Sequence, residues 1–157
     1  MPRRCRHRSW AASLALLLSA AAVADETPAR GQLLYVPIYS EVPYGDKGLT
    51  VNLSATVSVR NTDVARAIRL RRVDYHGSSG ALLRSYLKQP QTLTPLATAN
   101  FFVAESDRSG GSSASFLVEW DSESPVSPPL VEAVMVNLTY NTGVAFSSPA
   151  RVIEHRP

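Results

Sequence analysis

The chain has 157 residues, with 16 Lys and Arg against 13 Asp and Glu, a formal net charge of +3 and one cysteine. This length predicts a single domain, because one domain takes roughly 100–200 residues. One cysteine excludes a disulfide within the chain. The positive charge would favour an anionic partner such as nucleic acid only if the basic residues lay on the folded domain.

The N-terminal segment carries the excess positive charge. Four arginines among the first eight residues precede sixteen residues without charge, 9–24, which end in Ala22-Val23-Ala24. A positive start, a short apolar centre and small residues at the cleavage site are typical of a secretory signal peptide. We therefore predict a signal helix over residues 1–24, cleavage after Ala24, and a periplasmic or secreted protein. Sixteen residues fall short of the roughly 20 that span a bilayer, so we expect no transmembrane anchor.

Cleavage would change the charge of the protein. Removing the four arginines leaves 12 basic and 13 acidic side chains and a net charge of −1, so we expect no nucleic-acid partner. Cleavage would also remove Cys5, leaving no thiol and no disulfide. Cys5 precedes the apolar stretch and therefore does not occupy the lipidation position of a lipoprotein signal.

The mature chain reads as a series of strands in which apolar and polar residues alternate. The clearest is Leu49 to Arg60, where the alternation has no exception, as expected for a strand with one buried face. A change of parity at Arg71-Arg72 predicts a β-bulge, and Pro37 and Pro149 predict sheet edges or bulges. Residues 88–95 read as a crossing loop. The other predicted strands are residues 33–39, 68–75, 82–87, 99–103, 116–120, 130–140 and 144–153.

These patterns predict the fold class. No mature segment of useful length has a helical period, and about eight strands are separated by turn signals. We predict an all-β fold, a single Greek-key β-sandwich of immunoglobulin-like architecture, over residues 32–157. Residues 25–31 would form a flexible N-terminal lead.

Three polar turns are candidate binding surfaces if the fold gathers them at one end. They are the loop Tyr39 to Asp46, the turn Asn61 to Asp63 and the loop Asp107 to Ser112. Their aromatic and polar side chains could contact a partner, although core packing of tyrosine and ordinary turn chemistry explain them equally well. The candidate binding residues are Tyr39, Tyr44, Asp46, Asn61, Asp63, Asp107, Ser109, Gly110 and Gly111.

One predicted strand concentrates positive charge at Arg69, Arg71 and Arg72. Guanidinium groups bind planar anions through two parallel hydrogen bonds, so this strand could take a lipid headgroup or a cell-wall polymer. The alternative is that the arginines pair with cross-strand acids such as Asp74 or Glu119.

Metal ligands are sparse. The mature chain keeps His76 and His155, and neither has a second ligand at a chelating spacing, so we predict no metal site and no cofactor. Calcium remains an alternative, because Glu105 and Asp107 lie in an oxygen-rich loop that Asp46 or Asp63 could approach. The spacing is not that of the twelve-residue calcium loop.

Catalytic patterns are also missing. A hydrolase would need a serine, a histidine and an acid from distant parts of the chain, because no Gly-x-Ser-x-Gly elbow is present. We therefore name no catalytic residue and do not expect an enzyme.

Several motifs together resemble the bacterial exported proteins grouped as "domain of unknown function 3124". The resemblance spans nearly the whole mature chain. It implies a small, exported bacterial protein and supplies no activity, substrate or site residue. Members are often lipoproteins, and this chain departs from them because it has no lipidation cysteine. The motifs are residues 31–40 (GQLLYVPIYS), 49–63 ending in VRNTD, 73–75 (VDY), 84–87 (RSYL) and 105–111, ESD followed by SGG.

The sequence therefore favours a soluble, non-catalytic binding or protein-interaction module of the cell envelope, with an unknown envelope protein or ligand as partner. A calcium- or metal-dependent envelope protein and a hydrolase with a non-local Ser/His/Asp site are the alternatives.

Overall fold

The computed structural model describes residues 27–138 and 143–156. The predicted signal helix and its cleavage site lie outside these residues. Within them, no helix has the length and apolar character needed to cross a bilayer. The strands are β1 (Ala29–Ile38), β2 (Glu41–Tyr44), β3 (Leu49–Asn52), β4 (Ser54–Arg60), β5 (Ile68–His76), β6 (Leu82–Ser85), β7 (Gln91–Leu93), β8 (Thr98–Val103), β9 (Ala114–Val126), β10 (Leu130–Asn137), β11 (Val144–Pro149) and β12 (Arg151–Arg156).

The fold is all-β, as predicted, and its strand pairs are antiparallel. The larger sheet has the order β12-β1-β9-β5-β6, with β7 also paired to β5. The second sheet has the order β11-β10-β4-β8, and β2 and β3 form a separate two-stranded ribbon. A short 3-10 turn at Gly111–Ser113 precedes β9.

One hydrophobic core joins the two larger sheets. Strand β4 supplies Ala55, Val57 and Val59, and the other sheet supplies Trp120 and Tyr75; all five side chains are buried in the same cluster. The alternation that predicted β4 from the sequence therefore marks its buried face, because successive side chains of a strand point to opposite sides.

The predicted bulge in β5 is confirmed. The register of β5 against β9 shifts between Leu70 and Arg72, so that Leu70 and Val73 are both buried despite their different parity. The extra residue restores a common inward face and leaves the arginines of this strand on the outside.

The two prolines lie where a missing backbone donor is tolerated. Pro37 belongs to β1 but lies beyond Tyr35, the last residue of β1 that pairs with β12. Pro149 belongs to β11, which ends the second sheet. Both positions agree with the prediction of edge or bulge sites.

Three predicted segments need correction. The segment 49–60 is divided into β3 and β4, because Leu53 N donates to Ser40 O (2.8 Å) and the chain turns there into the two-stranded ribbon. The segment 144–153 is divided at Ala150 into β11 and β12, which belong to different sheets. The expected crossing loop at 88–95 contains β7, which pairs with β5. The hairpin partner β2 decides the first case, and sheet partners farther along the chain decide the other two.

Strand β1 begins at Ala29, inside the segment 25–31 that we expected to be a flexible lead. Gly31 lies so close to β9 that a Cβ would come within 2.8 Å of the Trp120 carbonyl oxygen. The absence of a side chain lets this part of β1 pair with strands on both sides.

Candidate functional site

The strand register places the predicted binding residues at two opposite ends of the molecule. Strands β4 and β8 are antiparallel, with Arg60 opposite Thr98 and Ala55 opposite Val103. The turn 61–63 follows β4 and lies at one end, which we call the turn end. The loop 107–112 follows β8 and lies at the other end. The ribbon of β2 and β3 is there too, because β3 leads into the start of β4, and we call this the arm end.

The ribbon forms an exposed arm. Every residue from Pro43 to Thr50 is exposed. At the tip, Tyr44 pairs with Leu49 across the ribbon, and the side chains are 53% and 55% exposed. A tight turn joins the two strands, with Gly48 N donating to Gly45 O (3.1 Å) and Asp46 within it. The tip therefore presents an apolar cross-strand pair beside a polar turn.

The base of the arm is held by the loop 107–112. Ser40 N, just before β2, donates to Gly111 O (3.1 Å). The Arg108 guanidinium donates to the Glu41 carboxylate, with Nη2 2.8 Å from Oε2. Asn137 Nδ2 donates to Asn52 O at the other strand of the arm (2.8 Å). Contacts from two sides therefore fix the direction in which the arm leaves the body.

Asp107 and Ser109 interact mainly with their own surroundings. The Ser109 hydroxyl and amide donate to Asp107 Oδ1, and Arg84 Nη2 lies 2.9 Å from Asp107 Oδ2. The hydrogen bond from the Ser109 hydroxyl lowers the pKa of Asp107 most; burial opposes it, and the Ser109 amide and Arg84 lower it further. The carboxylate is therefore stabilised as an internal partner in this loop.

Gly110 and Gly111 pack the loop against the hairpin between β5 and β6. The amide and the hydroxyl of Ser78 both donate to Gly110 O, at 3.0 and 2.7 Å. Gly111 adopts a φ of +69°, which favours glycine. Tyr39, another candidate at the arm end, is half-buried against the Phe146 ring, with the centroids 5.7 Å apart. Of the candidates at the arm end, Tyr44 and Asp46 are the ones at the exposed tip.

At the turn end, Asn61 and Asp63 act as caps within the fold. Asn61 is 2% exposed, and its Nδ2 donates to the carbonyl oxygens of Arg66, Leu93 and Thr94 at 2.8–3.1 Å. Asp63 Oδ1 accepts hydrogen bonds from the amides of Ala65 (2.9 Å) and Arg66 (2.8 Å). These side chains close the connection between β4 and β5 and are not free for a ligand.

The capping by Asp63 predicts a pH dependence. The Ala65 amide lowers the pKa of Asp63 most; burial opposes this, and the Arg66 amide, the Ser127 amide and the Arg66 charge lower it further. A lowered pKa in the folded state contributes stability that is present above the unfolded value of about 3.9 and is lost as the pH falls through the folded value. We expect Asp63→Asn to flatten the acid side of the stability profile, measured by urea unfolding from about pH 2 to 7.

The control for this test is Asp46→Asn, which removes one carboxylate from the exposed tip of the arm and corrects for the change in net charge. Wild-type and Asp63→Asn profiles that stay parallel down to the lowest pH would contradict the capping role.

The arginines of β5 are paired with acids of β9 and β5. Arg69 Nε lies 3.0 Å from Asp121 Oδ1, and Arg71 binds the other oxygen of the same carboxylate. Arg72 Nη2 lies 3.3 Å from Glu119 Oε2, and its Nε lies 3.9 Å from Asp74. These are the kind of cross-strand acids that the sequence offered as an alternative to a ligand. An anionic ligand would have to displace these carboxylates.

His76 was the histidine closest in sequence to a candidate acid, Asp74. His76 Nδ1 lies 3.1 Å from Gly80 O, and its cross-strand neighbour is Ser115. Among the described residues, no hydrogen bond joins either nitrogen of His76 to a serine hydroxyl or a carboxylate. The same part of the chain contains no group of three or more His, Cys, Asp or Glu residues placed to hold a metal ion.

Some residues of the arm end were missed by sequence reasoning. Leu49 alternates perfectly with the core residues of β4 and was therefore expected to be buried. A signal was available, since a Gly-Asp-Lys-Gly turn between Tyr44 and Leu49 is typical of a hairpin. Leu138 and Val144 are also exposed apolar residues at the arm end, beside Asn137. No pattern in the sequence indicated that they lie there.

Comparison with protein families identifies the chain. Residues 31–153 match the model of the family described as "Protein of unknown function (DUF3124)". The chain belongs to this family. The match extends from Gly31 in β1 to Ile153 in β12, so it includes at least part of each described strand. The resemblance seen in the sequence is confirmed.

Comparisons with curated proteins and solved structures give information on the fold alone. No curated protein matches this DUF3124 chain. The crystal structure of Thermotoga maritima 1070 is similar, with a TM-score of 0.50 and 9% identity, covering 82% of this chain and 98% of the other. At this identity the likeness concerns the arrangement of the backbone and says nothing about activity.

Proposed function

We propose that this DUF3124 protein is an exported, non-catalytic binding module that contacts another polypeptide of the cell envelope through its arm. Residues 1–24 would be a signal peptide cleaved after Ala24, which delivers the domain to the periplasm or outside the cell. Support for export comes from the arginines, the apolar stretch and the small residues of that segment.

We also propose that the body is an immunoglobulin-like Greek-key sandwich. Support comes from the neighbours within the sheets: β1 lies between β9 and β12, and β4 lies between β8 and β10. Such pairing of strands that are distant along the chain, with connections passing between two sheets, is typical of Greek-key sandwiches.

The exposed tip of the arm is the observation that carries the proposal. Tyr44 and Leu49 are two large apolar side chains that the fold holds in water beside each other. Tyrosine is enriched at protein interfaces because its ring is apolar and its hydroxyl can still bond. Leu138 and Val144 add exposed apolar surface at the same end.

The backbone of the arm offers a second means of binding. Among the described residues, β3 pairs with β2 alone, so one edge of β3 is open to a further strand. Pro43 lies on β2 and weakens the opposite edge as a template, since proline has no amide donor. An extended segment of a partner could therefore add to β3 and cover the Tyr44–Leu49 pair.

Changing the tip tests this proposal. The double variant Tyr44→Ser with Leu49→Ser should reduce recovery of the partner from envelope extract at least about tenfold, because buried aromatic and aliphatic side chains supply most of the energy of an interface. Recovery is measured by quantitative mass spectrometry after capture on the full chain. Stability should stay close to that of the wild type, because both side chains are exposed in the free protein.

Val64→Ser is the matched control, because Val64 is an exposed apolar residue at the turn end, and it should leave recovery unchanged. Equal recovery by the wild type and the double variant would overturn the arm as the contact surface. Loss of recovery on adding a calcium chelator would instead favour the calcium-dependent alternative.

A further inference from the structure

The outward faces of the two larger sheets differ in charge. On the first of these sheets, β5 and β9 carry outward ion pairs such as that of Arg69 with Asp121. On the second sheet, outward and buried residues alternate along each strand. Every outward residue of the described strands β4, β8, β10 and β11 is uncharged except Arg60 and Glu132. The second sheet therefore presents a flat and nearly neutral outer face.

One row of residues shows how the size of the side chains changes across this face. The strand register places Ser147, Val134, Thr56 and Phe102 side by side, on β11, β10, β4 and β8 in that order. Phe102 is 56% exposed at one edge of the sheet, and the small Ser147 is exposed at the other edge. A second copy rotated by 180° about an axis along the strands, between β10 and β4, would place its Ser147 over Phe102. The larger side chain of each copy would then meet the smaller one of the other.

The two charged residues of the face lie on opposite sides of the same axis. Arg60 is on β4 and Glu132 is on β10, two residues apart along the strands, and Arg60 Nη1 lies 2.7 Å from Glu132 Oε1. The rotation brings Arg60 of each copy beside Glu132 of the other, so four charges of alternating sign surround the axis. A two-fold axis across the strands at this level would place like charges together, which is unfavourable.

We propose that the outer face of the second sheet binds a second copy of this chain, with the two-fold axis along the strands. The contact is isologous, because the same face of both copies takes part, and the strands of the two sheets are aligned as in face-to-face sheet packing. Strand spacings give the face a flat area of about 400 Å². This is below the roughly 800 Å² per partner of a standard interface, so the dimer is weak, with a Kd of about 10–100 µM.

This dimer goes beyond the proposed function, because it uses none of the residues of the arm. An axis along the strands leaves their direction unchanged, so the arms of both copies lie at the same end of the dimer. Two arms at one end could bind a partner that has two sites, or two neighbouring partners, more tightly than one arm does. The binding of a partner and the pairing of two copies can still succeed or fail separately.

Reversing the charges tests the pairing of the two copies. Sedimentation equilibrium of the full chain, at neutral pH and about 0.1 M salt, measures the Kd of the dimer. Arg60→Glu alone and Glu132→Arg alone should each raise this Kd at least about tenfold, because each places four like charges around the axis. An equal mixture of the two variants should associate as a heterodimer, since every contact between the copies then joins Glu to Arg. Recovery in the mixture also shows that both variants are folded.

A change at the centre of the face gives a second test. Thr56→Lys would bury a charge without a partner between the two copies, so its dimer should be undetectable up to about 0.5 mM protein. The free chain should tolerate this lysine, because residue 56 points outward and a lysine stem can reach water. Tyr44→Ser, on the arm, is the control and should leave the Kd unchanged.

Four results would each overturn the proposed dimer. They are a wild-type chain that stays monomeric up to about 0.5 mM, single charge variants with the Kd of the wild type, a mixture of the charge variants that does not associate, and a Thr56→Lys variant that dimerises like the wild type.

Discussion

Gly110→Ala is expected to lower the free energy of unfolding by about 3 kcal/mol, because overpacking a well-filled core and breaking a buried hydrogen bond both contribute at this position. A Cβ at residue 110 would lie 2.0 Å from the Tyr75 hydroxyl and 2.7 Å from the Ala114 Cβ. Tyr75 is fully buried and stacked on Phe116, with the ring centroids 5.3 Å apart. It has no room to withdraw, and its hydrogen bond with the Ser40 hydroxyl (3.0 Å) would be lost.

The measurement is urea unfolding at neutral pH, and Gly77→Ala is the matched control. A Cβ at residue 77 meets its nearest neighbour, Leu83 Cδ1, at 3.3 Å, which a small movement of a flexible side chain relieves. We expect this variant to stay within about 1 kcal/mol of the wild type. Tyr75→Phe removes the hydroxyl that the new Cβ would meet, so Gly110→Ala should cost less in that background. Similar decreases in the free energy of unfolding for Gly110→Ala and Gly77→Ala would contradict the steric argument.

Asn61→Asp should lower the free energy of unfolding by about 3–5 kcal/mol at pH 7, at least as much as Gly110→Ala. It buries a charge that the neighbouring groups cannot stabilise. The two side chains have almost the same shape. The amide nitrogen of Asn61, however, donates to three carbonyl oxygens, and a carboxylate oxygen in its place can only repel them. The comparison therefore isolates hydrogen-bond donation from packing.

The sign of the pH dependence follows from the same contacts. The three carbonyl oxygens beside this position would raise the pKa of the new carboxyl in the folded state, because they favour its protonated form. Its destabilising effect should therefore be smallest at low pH and should grow as the pH rises through the unfolded value of about 3.9. Unfolding by urea from about pH 3 to 7, with wild type and variant side by side, measures this growth.

Asn100→Asp is the control for the change from amide to carboxylate. Asn100 is exposed, and its Oδ1 accepts a hydrogen bond from the Ser58 hydroxyl (2.8 Å), a role that a carboxylate oxygen can also fill. We expect a change within about 0.5 kcal/mol. Two results would contradict the donor role of Asn61. One is an equal decrease in the free energy of unfolding for Asn61→Asp and Asn100→Asp, and the other is a decrease for Asn61→Asp that does not vary with pH.

Both of these large effects fall on residues that the sequence offered as binding candidates. Glycine and asparagine in polar turns are ambiguous from sequence, because the same residues serve a contact surface and an internal cap. Asn61 turned inward because its amide bonds three carbonyl oxygens in two segments, one at Arg66 and one at Leu93 and Thr94. Tyr44 stayed outward because its ribbon has no third strand in the described part of the chain. We therefore propose the arm, and not the turns as a class, as the binding surface.

The sequence by itself determined the features that depend on neighbouring residues. The alternation in β4, the bulge beside Arg71 and the all-β class follow from the two-residue period of a strand. The hairpin after His76 follows from a run of glycine and serine, which favours a turn. The export prediction likewise uses a contiguous segment, residues 1–24, and depends on no tertiary contact.

Only the tertiary structure decided which strands meet. Gln32 lies beside Trp120 and Arg60 beside Leu130 because antiparallel ladders join distant parts of the chain, and no local pattern specifies such partners. The two ends of the molecule and the exposure of Leu49 both follow from these pairings. The net charge of +3 divides in the same way. The sequence assigned its excess to the first 24 residues, whereas the pairing of β5 with β9 decided that the arginines of β5 lie against carboxylates. Local periodicity predicts the strand class, whereas pairing along the chain decides where several strands end and which residues meet.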